Sequence, residues 1–538
     1  MDSSGFSILN GTLDKSHWVL QINDLIHQNA LPAASHTPIS IFRLPESVHD
    51  GDQASYLPCH VALGPYHHFR PELSKMELFK LGKAKNLNWD PQLHELADQL
   101  KPLELKIRAC FDQALEISGE TLSWVLLIDG LFLIHLLLQN KYRCRPFQFP
   151  LQIFYGKLSS EFEIVSDMVK LENQIPLFVL NEICPKESNN FLAPLLYQFS
   201  ASVSPIQLPY FNPRLECFGF SSYLPEIFDL SHHLLHFLYY LILLIPEEID
   251  VSNHRRRDRE NSSPSSSSVE FVSQCFEILG SVINLAFIQQ VKETFGLIQR
   301  VYKLLGFITK SNLVEKKPLL IIPSASDLKT AGFTFKSTGA GILKSRFDKE
   351  TRTLTLPCIH LDGFSQVFLK NLVAFEAMAE LNPPCLTKYT AVINGLLRNS
   401  KDLKILEKAK IVRNHLNSEE EAVELFNGVE NSTSSLKKDR LLKIHLKGGF
   451  VSEYGGKFVQ DVKRNYELGL GAMAEGINKI YDNCWRMKMK KFMSLVFKCF
   501  AILVLVFLIV LVIARFLCKF LTCPVGIFQT VIALHQMY

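Results

Sequence analysis

Three histidines near the start of the chain, His60, His67 and His68, are the first candidates for chemistry. Three histidine ligands with an open fourth position would suit a catalytic zinc ion. Their spacing differs from the pair in a helical H-E-x-x-H site, and Gly64 and Pro65 between them predict a turn. We therefore predict a loop of packed or hydrogen-bonded histidines, with no metal and no cofactor.

A single acidic residue, Asp129, interrupts the apolar run 124–138, where it stands beside Gly130. A carboxyl group at such a position is expected to be buried. It must then be hydrogen-bonded or protonated. Two interpretations stay open: a catalytic acid, or a group that caps a neighbouring helix and fixes the local packing. We favour the second.

A second polar cluster, Glu172, Asn173 and Gln174, stands just before Pro176. Proline removes a backbone donor and disrupts a continuing helix. Three polar side chains directly before it are well placed to satisfy the backbone groups that the break sets free. We predict this structural role, and a ligand or partner contact is the alternative.

The chain shows none of the short motifs that mark well-known catalytic sites. A G-x-S-x-G elbow, a Walker loop and a kinase signature are all missing from it. Gly469, Gly471 and Gly476 resemble a dinucleotide-binding loop, but the third glycine comes two places too late. An enzyme would need His67, His68, Asp129 and Glu172 to converge in one cleft. The sequence therefore favours a protein that is not an enzyme.

Helices are predicted to position these residues. Residues 1–38 form an N-terminal segment, and residues 39–251 form a helical first half. Within that half, the runs 122–138 and 164–183 carry apolar residues at helical spacing or all round. The Ser/Arg-rich stretch 252–268 cannot bury surface and is predicted to be a disordered linker.

The second half, residues 269–480, is predicted to be helical with a small antiparallel β-sheet at about 333–357. It opens with a helical run at 269–305. The segments 333–335, 341–343 and 353–357 then alternate like strands, and 348–350 forms a turn between the last two. Helices are expected to resume at Asn371.

One helix in this half carries its own boundary signals. Ser418 and Glu421 form a capping box, in which the serine accepts from the N3 amide and the glutamate from the cap amide. Asn427 and Gly428 predict that this helix ends after residue 426, because glycine tolerates a left-handed conformation.

One hydrophobic segment near the C-terminus predicts a transmembrane helix. Residues 499–514 contain neither a charge nor a helix breaker, and extension to 495–514 gives the roughly 20 residues that a bilayer core requires. The alternative is a buried core helix. The apolar tail 515–538 follows. The cations expected to flank the membrane are Lys488, Lys490, Lys491, Lys498, Arg515 and Lys519.

The basic residues predict orientation and localisation. Five cations from Lys479 to Lys491 precede the span and only two, Arg515 and Lys519, follow it, which places the body in the cytosol. The partners expected are the lipid bilayer of the plasma membrane or an endomembrane, and a protein of unknown identity. A net charge of +4 without a clustered basic face in the body argues against nucleic acid.

Cysteine usage and the N-terminus agree with a reducing compartment. The twelve cysteines include no C-x-x-C pair, and residues 1–11 do not form a secretory signal. Three sequons, at Asn10, Asn261 and Asn431, offer a test of topology, because only a body outside the cytosol would be glycosylated there.

Taken in order, these segments resemble the plant family known as domain of unknown function 247. The resemblance spans roughly residues 39–515, and Phe69 departs from a glycine that is frequent in the family. The matching blocks lie at 41–45, 56–58, 61–68, 76–80, 128–132, 171–176, 322–335, 354–357 and 371–376. The family-motif positions are Gly64, Pro65, Tyr66, His67, His68, Asp129, Gly130, Glu172, Asn173, Gln174 and Pro176.

The resemblance implies a single-pass membrane protein of land plants without accepted catalytic residues. Some grass members of the family lie at self-incompatibility loci and are regarded as pollen-side determinants. Three hypotheses follow. The first is a membrane-anchored interaction or signalling module, the second a pollen-side recognition protein with its body outside the cell, and the third an uncharacterised enzyme that uses polar groups of the helical body.

Overall fold

Helices dominate the protein, with a small sheet in its second half, as the sequence predicts. The computed structural model describes residues 37–49, 52–87, 92–140, 161–184, 192–208, 223–244, 322–442 and 456–536. The predicted linker 252–268 and the helical run 269–305 lie outside these residues. The N-terminal segment lies outside them as well, apart from residues 37 and 38.

The helices before residue 245 include one long apolar helix, α6. They are α1 (Glu46–His49), α2 (Gln53–Tyr56), α3 (Lys75–Lys85), α4 (Leu93–Leu100), α5 (Glu104–Ala109), α6 (Gly119–Asn140), α7 (Glu161–Met168), α8 (Leu177–Ile183), α9 (Leu192–Val203), α10 (Tyr223–Leu230) and α11 (Leu234–Leu244). Short 3-10 turns occupy Pro71–Leu73 and Lys101–Leu103.

Helix α6 is the centre of this part because it is apolar on nearly every side. Helices α3, α4, α8 and α9 pack against it. Its residues Leu126, Phe132 and Leu137 are fully buried. A helix that is apolar all round is stable in water only when neighbours cover it in this way.

The apolar run 164–183 forms two helices, with the break before Pro176 that the proline predicts. Helix α7 ends at Met168 and α8 begins at Leu177, after a buried turn that contains Glu172 and Gln174. Pro176 directly precedes α8 and has no amide hydrogen to continue the helix. The polar residues before it bond the backbone groups of the turn, as described below.

The elements after residue 321 alternate between helices and short strands. They are α12 (Ala325–Thr330), β1 (Thr334–Thr338), β2 (Arg346–Asp348), β3 (Thr353–Pro357), β4 (Ile359–Leu361), α13 (Ser365–Met378), α14 (Cys385–Leu396), α15 (Ser400–Lys408), β5 (Val412–Asn414), α16 (Glu419–Leu442), α17 (Gly456–Tyr466) and α18 (Ala472–His535). Helix α13 thus begins six residues before Asn371, where the sequence predicted that helices resume.

The three-stranded sheet is mixed, so the prediction of an antiparallel sheet is only partly right. Strand β3 lies between β1 and β2, parallel to β1 and antiparallel to β2. The turn after Asp348 is present, since its carboxylate accepts the amide of Glu350 at 2.9 Å. Residues 341–343 do not form a strand. Ile342 and Leu343 are buried in a 3-10 turn, Ile342–Lys344, that redirects the chain from β1 to β2.

A second, two-stranded sheet was not predicted from sequence. Strands β4 and β5 pair in parallel, with Ile359 opposite Val412. Each strand has only three residues, too few to show a period of two. Their pairing joins segments that are about fifty residues apart, which no local pattern reveals.

Helix α16 begins as predicted but does not end where predicted. Ser418 Oγ accepts the amide of Glu421 at 3.1 Å, and the Glu421 carboxylate bonds the amide of Asn417 instead of the cap amide. The helix continues through Gly428 to Leu442. A Cβ atom at Gly428 would lie 2.6 Å from Nε2 of Gln366 on α13, so this glycine permits close helix packing and is not a terminator.

The described residues before 248 and after 321 belong to one compact unit. Asn371 on α13 accepts the amide of Leu171 at 2.9 Å and donates to the carbonyl of Ser55 at 2.7 Å. Helix α13 also packs against α2, α11, α14 and α16. Side chains from the second half thereby satisfy backbone groups of the first.

Helix α18 leaves the body and carries the apolar C-terminal segment. A π-turn, Glu467–Gly471, joins it to α17, and its residues Met473, Ala474 and Ile477 are buried against the body. Among the residues that the structure describes, two helices are long and apolar enough to cross a membrane. In the first, Gly119–Gln139, 67% of the most apolar 18-residue stretch is buried inside the protein. In the second, Gln460–Arg515, none of the corresponding stretch is buried.

Candidate functional site

The polar residues singled out from the sequence meet around the segment 57–68. This segment runs without regular secondary structure between α2 and the 3-10 turn Pro71–Leu73. Backbone groups of such a buried segment require partners. They find them in side chains from α3, from α6, from the end of α7 and from the turn that follows α7, and we call this arrangement the polar hub.

Asp167 binds the first part of the segment. Its carboxylate accepts the amides of Cys59 at 3.1 Å, His60 at 2.6 Å and Val61 at 2.9 Å. Lys170, one helical turn further on, pairs with the same carboxylate at 2.8 Å and donates to the carbonyl of Leu57 at 2.7 Å. The buried ion pair of Asp167 and Lys170 thus bonds backbone groups that a neighbouring strand would bond in a sheet.

Asn173 and Gln174 continue this role on both sides of the turn. Asn173 accepts the amide of Leu63 at 2.6 Å and donates to the carbonyl of Val61 at 3.0 Å. Gln174 donates to the carbonyls of Met168 and Lys170 and accepts from the amide of Leu235 at α11. The predicted structural role of both residues therefore agrees with their contacts.

Glu172 is held by donors from three directions. Its Oε1 accepts the amide of Leu44 at 2.7 Å and lies 2.9 Å from Nε2 of His49, and its Oε2 lies 2.9 Å from Nε2 of His67. Burial alone would raise the pKa of Glu172, but the hydrogen bonds from the two histidines and from Leu44 lower it to about 2. The group is a buried, ionised acceptor.

Asp129 projects from α6 onto the middle of the segment. Its carboxylate accepts the amide of Gly64 at 2.9 Å and pairs with the fully buried ammonium of Lys80 on α3. Lys80 also donates to the carbonyl of Ala62 at 3.0 Å and pairs with Glu77. Burial opposes the charge of Lys80, yet the two carboxylates raise its pKa above the usual value.

Three further family-motif positions, Gly64, Tyr66 and Gly130, make close contacts with neighbouring elements. Gly64 has φ +74°, and a Cβ atom there would lie 2.6 Å from the carbonyl oxygen of Gln174. Tyr66 donates to Asp112 at 2.6 Å, and burial together with the Asp112 charge raises its pKa. Gly130 faces α8, where an added Cβ would meet Cδ1 of Ile183 at 2.6 Å.

The three candidate metal-binding histidines contact different carboxylates. The Nε2 atom of His60 lies 3.3 Å from Glu163, whereas His67 contacts Glu172. His68 lies 3.8 Å from Asp129 and 3.7 Å from Glu77. The structure therefore does not bring the histidines together around one point, and each is positioned as a hydrogen-bonded or ion-paired side chain.

A different set, His68, Glu77 and Asp129, does come together, with one ligand atom from each residue within 4.8 Å of the others. Such a set has the chemistry of a divalent-cation site. The ammonium of Lys80, however, already contacts both carboxylates and supplies the cation that they need. The donor set therefore fits an internal lysine better than a metal ion.

The four residues of the enzyme hypothesis form two separate pairs. His67 contacts Glu172, and His68 lies next to Asp129. Both carboxylates are also occupied as acceptors of backbone amides, Glu172 from Leu44 and Asp129 from Gly64. This arrangement favours a structural role over acid–base catalysis.

Sequence reasoning missed several members of the hub. Asp167 and Lys170 are buried at 0% and 1% exposure but look like an ordinary i, i+3 surface pair in the sequence. His49 lies in a four-residue helix far from Glu172 along the chain. The only local sign that Asp167 is buried is its place next to the apolar residues Met168 and Val169 in the sequence.

The predicted membrane-flanking cations lie on α18, on both sides of the apolar segment. Lys488, Lys490, Lys491, Lys498 and Arg515 are exposed, and Lys519 lies where no side chain is described. Between them, Phe500, Leu503 and Val512 are each more than 60% exposed. The helix therefore presents a large apolar surface that no part of the described protein covers.

Comparisons with known proteins give the family. Residues 41–514 match DUF247, described as plant protein of unknown function. A putative UPF0481 protein of Arabidopsis thaliana, At3g02645, is 28% identical, and the alignment covers 84% of this chain and 87% of the relative. The UPF0481 protein At3g47200 from the same plant is 26% identical, and the alignment covers 80% of this chain and 79% of the relative. No solved structure matches. The chain belongs to the DUF247 family.

Proposed function

We propose that this protein is a single-pass membrane protein whose helical body lies in the cytosol and binds a protein partner. The observation that carries the proposal is the exposed apolar segment of α18. Its 20 residues, 495–514, give a helix about 30 Å long, which equals the hydrocarbon thickness of a bilayer. In water this surface would be a strong aggregation site.

The asymmetry of charge supports a cytosolic body. Five cations from Lys479 to Lys491 precede the segment, and two follow it. Positively charged flanks stay on the cytoplasmic side during insertion. The alternative, with the body outside the cell, is the topology that pollen-side recognition would require.

The polar hub supports binding over catalysis. Its carboxylates and amides are already bonded to the backbone of the segment 57–68, which makes that segment rigid. Two large apolar side chains, Phe69 and Leu78, are 61% and 72% exposed directly beside the contacting residues His68 and Glu77. A rigid frame with exposed apolar groups is typical of a protein-binding surface.

Carbonate extraction of membranes that contain the full-length protein tests the anchor. The protein should stay in the membrane, and the variant Leu505→Arg/Ile509→Arg should be released. Each arginine at the centre of a span opposes insertion by about 3 kcal/mol. Leu468→Arg is the matched control, because Leu468 is 74% exposed on the π-turn outside the segment. Release of the wild-type protein by carbonate would contradict the proposal.

Proximity labelling in plant tissue tests the binding role. The full-length protein should label a reproducible set of proteins, and Phe69→Ser/Leu78→Ser should lose members of that set while it remains in the membrane. Leu468→Ser should retain the whole set. If the Phe69/Leu78 variant labelled the same proteins as the wild type, these residues would not form the binding surface.

A further inference from the structure

Between the body and the apolar segment, α18 carries a short exposed stretch, residues 485–494, which we call the connecting segment. Cys484, directly before it, is buried against the body, and Leu495, directly after it, begins the apolar segment. Within it, Trp485 is 57% exposed and Phe492 is 58% exposed. Nζ of Lys488 donates to the carbonyl oxygen of Thr330 at 2.6 Å, so the body touches the stretch on one side but leaves its large apolar side chains uncovered.

The exposed apolar side chains of the connecting segment favour one face. Trp485, Met489 and Phe492 stand at positions i, i+4 and i+7, which lie above one another on an α-helix. Met489 is 40% exposed, and Met487, at 53%, lies about 200° around the helix from Trp485 and thus on the opposite side. Anchors at i, i+4 and i+7 are the pattern by which an amphipathic helix fills a hydrophobic groove of another protein.

The charge of the connecting segment indicates what kind of groove it fits. Its ten residues include four exposed cations and no acid; the cations are Arg486, Lys488, Lys490 and Lys491. At about 100° per residue, Arg486 and Lys488 flank the apolar face on its two sides. Two acids, Asp482 and Asp327, act on Tyr481 and therefore lie at the body end, outside the segment. A complementary partner has an apolar groove with an acidic rim.

The distance from the bilayer argues for a protein and against lipid, and this step rests on the proposed membrane anchor. Met489 lies six residues before Leu495 and Trp485 ten, on one continuous helix. Along the helix axis these residues are about 9 Å and 15 Å from the hydrocarbon. The headgroup layer is only roughly 5–7 Å thick on each side. Both side chains therefore stand in water beyond the headgroups, where a protein can cover them.

We propose that the face formed by Trp485, Met489 and Phe492 binds one lobe of a calcium-loaded EF-hand sensor protein. Such a lobe opens a methionine-rich hydrophobic groove when it binds Ca²⁺, and flexible thioethers adapt to an anchor as large as tryptophan. Basic amphipathic helices are the targets that this class of groove takes. Calcium would then control the assembly of a second protein between the body and the membrane.

Calmodulin, as a probe of this class, tests the proposal with the full-length protein in phosphatidylcholine nanodiscs. The fluorescence anisotropy of labelled calmodulin should report binding with Ca²⁺ and none with a chelator. Trp485→Ser and Met489→Ser should each raise the Kd at least about tenfold. Met487→Ser is the matched control, because it removes an exposed methionine from the opposite side of the same helix. It should leave the Kd unchanged.

Three outcomes of this titration would overturn the proposal. They are no binding with Ca²⁺, equal binding with the chelator, and equal effects of Met487→Ser and Met489→Ser. A lipid arm adds a fourth. Photoactivatable phosphatidylserine in the same nanodiscs should crosslink to α18 from Phe492 onward, and crosslinks at residues 485–489 would assign the face to the lipid surface instead.

Further results separate this proposal from the proposed function. Phe69→Ser/Leu78→Ser should bind calmodulin with the wild-type Kd, and a raised Kd would place the probe on the body surface and overturn the sensor site. If the protein does not assemble into nanodiscs but binds the probe with Ca²⁺ in solution, the anchor is wrong and the sensor site stands. If it assembles into nanodiscs and binds no probe, the anchor stands and the sensor site is wrong.

Discussion

The hydroxyl of Tyr239 donates a 2.6 Å hydrogen bond to the carboxylate of Glu376, and both residues are buried. Tyr239 lies on α11 and Glu376 on α13, so the bond joins the two halves of the chain that flank residues 248–321. Glu376 also accepts the amides of Leu386 and Thr387 at the start of α14. One carboxylate thus fixes three helices relative to each other.

Removal of this hydroxyl should destabilise the body. In Tyr239→Phe, a buried carboxylate loses one of its three donors, so we expect a loss of about 1–3 kcal/mol. Urea denaturation of the full-length protein in detergent, followed by near-UV circular dichroism, measures the change. The control Tyr481→Phe, at a half-buried ring on α18, should change the stability by no more than about 0.5 kcal/mol.

The buried pair of Lys80 and Asp129 should behave differently as a single and as a double substitution. Lys80→Met leaves Asp129 charged without its main partner, which should destabilise by about 3–5 kcal/mol. Adding Asp129→Asn removes that charge, although an amide oxygen still accepts the amide of Gly64. The double variant should therefore be more stable than Lys80→Met in the same denaturation assay. Lys75→Met, at an exposed position of α3, is the control.

Glu172 should make the stability depend on acidic pH. Its pKa is about 2 in the folded protein, against 4.5 for an unperturbed glutamate. Its contribution is therefore fully present above about pH 4.5 and is lost as the pH falls towards 2, an effect on the order of 3 kcal/mol. Glu172→Gln should flatten this part of the curve, whereas Glu120→Gln, at an exposed site, should leave it unchanged.

Two glycines, Gly64 on the segment 57–68 and Gly82 on α3, should respond to alanine in opposite ways. Gly64→Ala places a Cβ 2.6 Å from the backbone oxygen of Gln174 at φ +74°, so we expect a loss of about 1–3 kcal/mol. Gly82 lies in α3 with nothing within 4 Å of an added Cβ. Gly82→Ala should stabilise by about 0.5–1 kcal/mol, because alanine favours the helix. Equal effects of the two changes would refute the role assigned to Gly64.

Some of these structural features can be predicted from the sequence and others cannot. The buried helix α6, the cap at Ser418 and the structural role of Asn173 and Gln174 follow from local rules of burial, capping and proline. The partners of Glu172 do not follow, because His49 and His67 reach it only after the chain has folded. The position of β3 between β1 and β2 does not follow from the sequence either. Alternation of apolar and polar residues identifies strands, but it does not indicate which strands pair.

The cations before the apolar segment should determine the orientation of the proposed span. Lys488→Gln/Lys490→Gln/Lys491→Gln/Lys498→Gln leaves two cations, Lys479 and Arg486, on the N-terminal side and two, Arg515 and Lys519, after the segment, so the charge bias that favours a cytosolic body disappears. A fraction of the protein should then insert with the body in the lumen. Asn431, exposed on α16, would be glycosylated in that fraction and give an endoglycosidase-sensitive shift. The wild type and a Lys75→Gln/Lys85→Gln/Lys101→Gln control should give no shift, and a shift in the wild type would reverse the proposed topology.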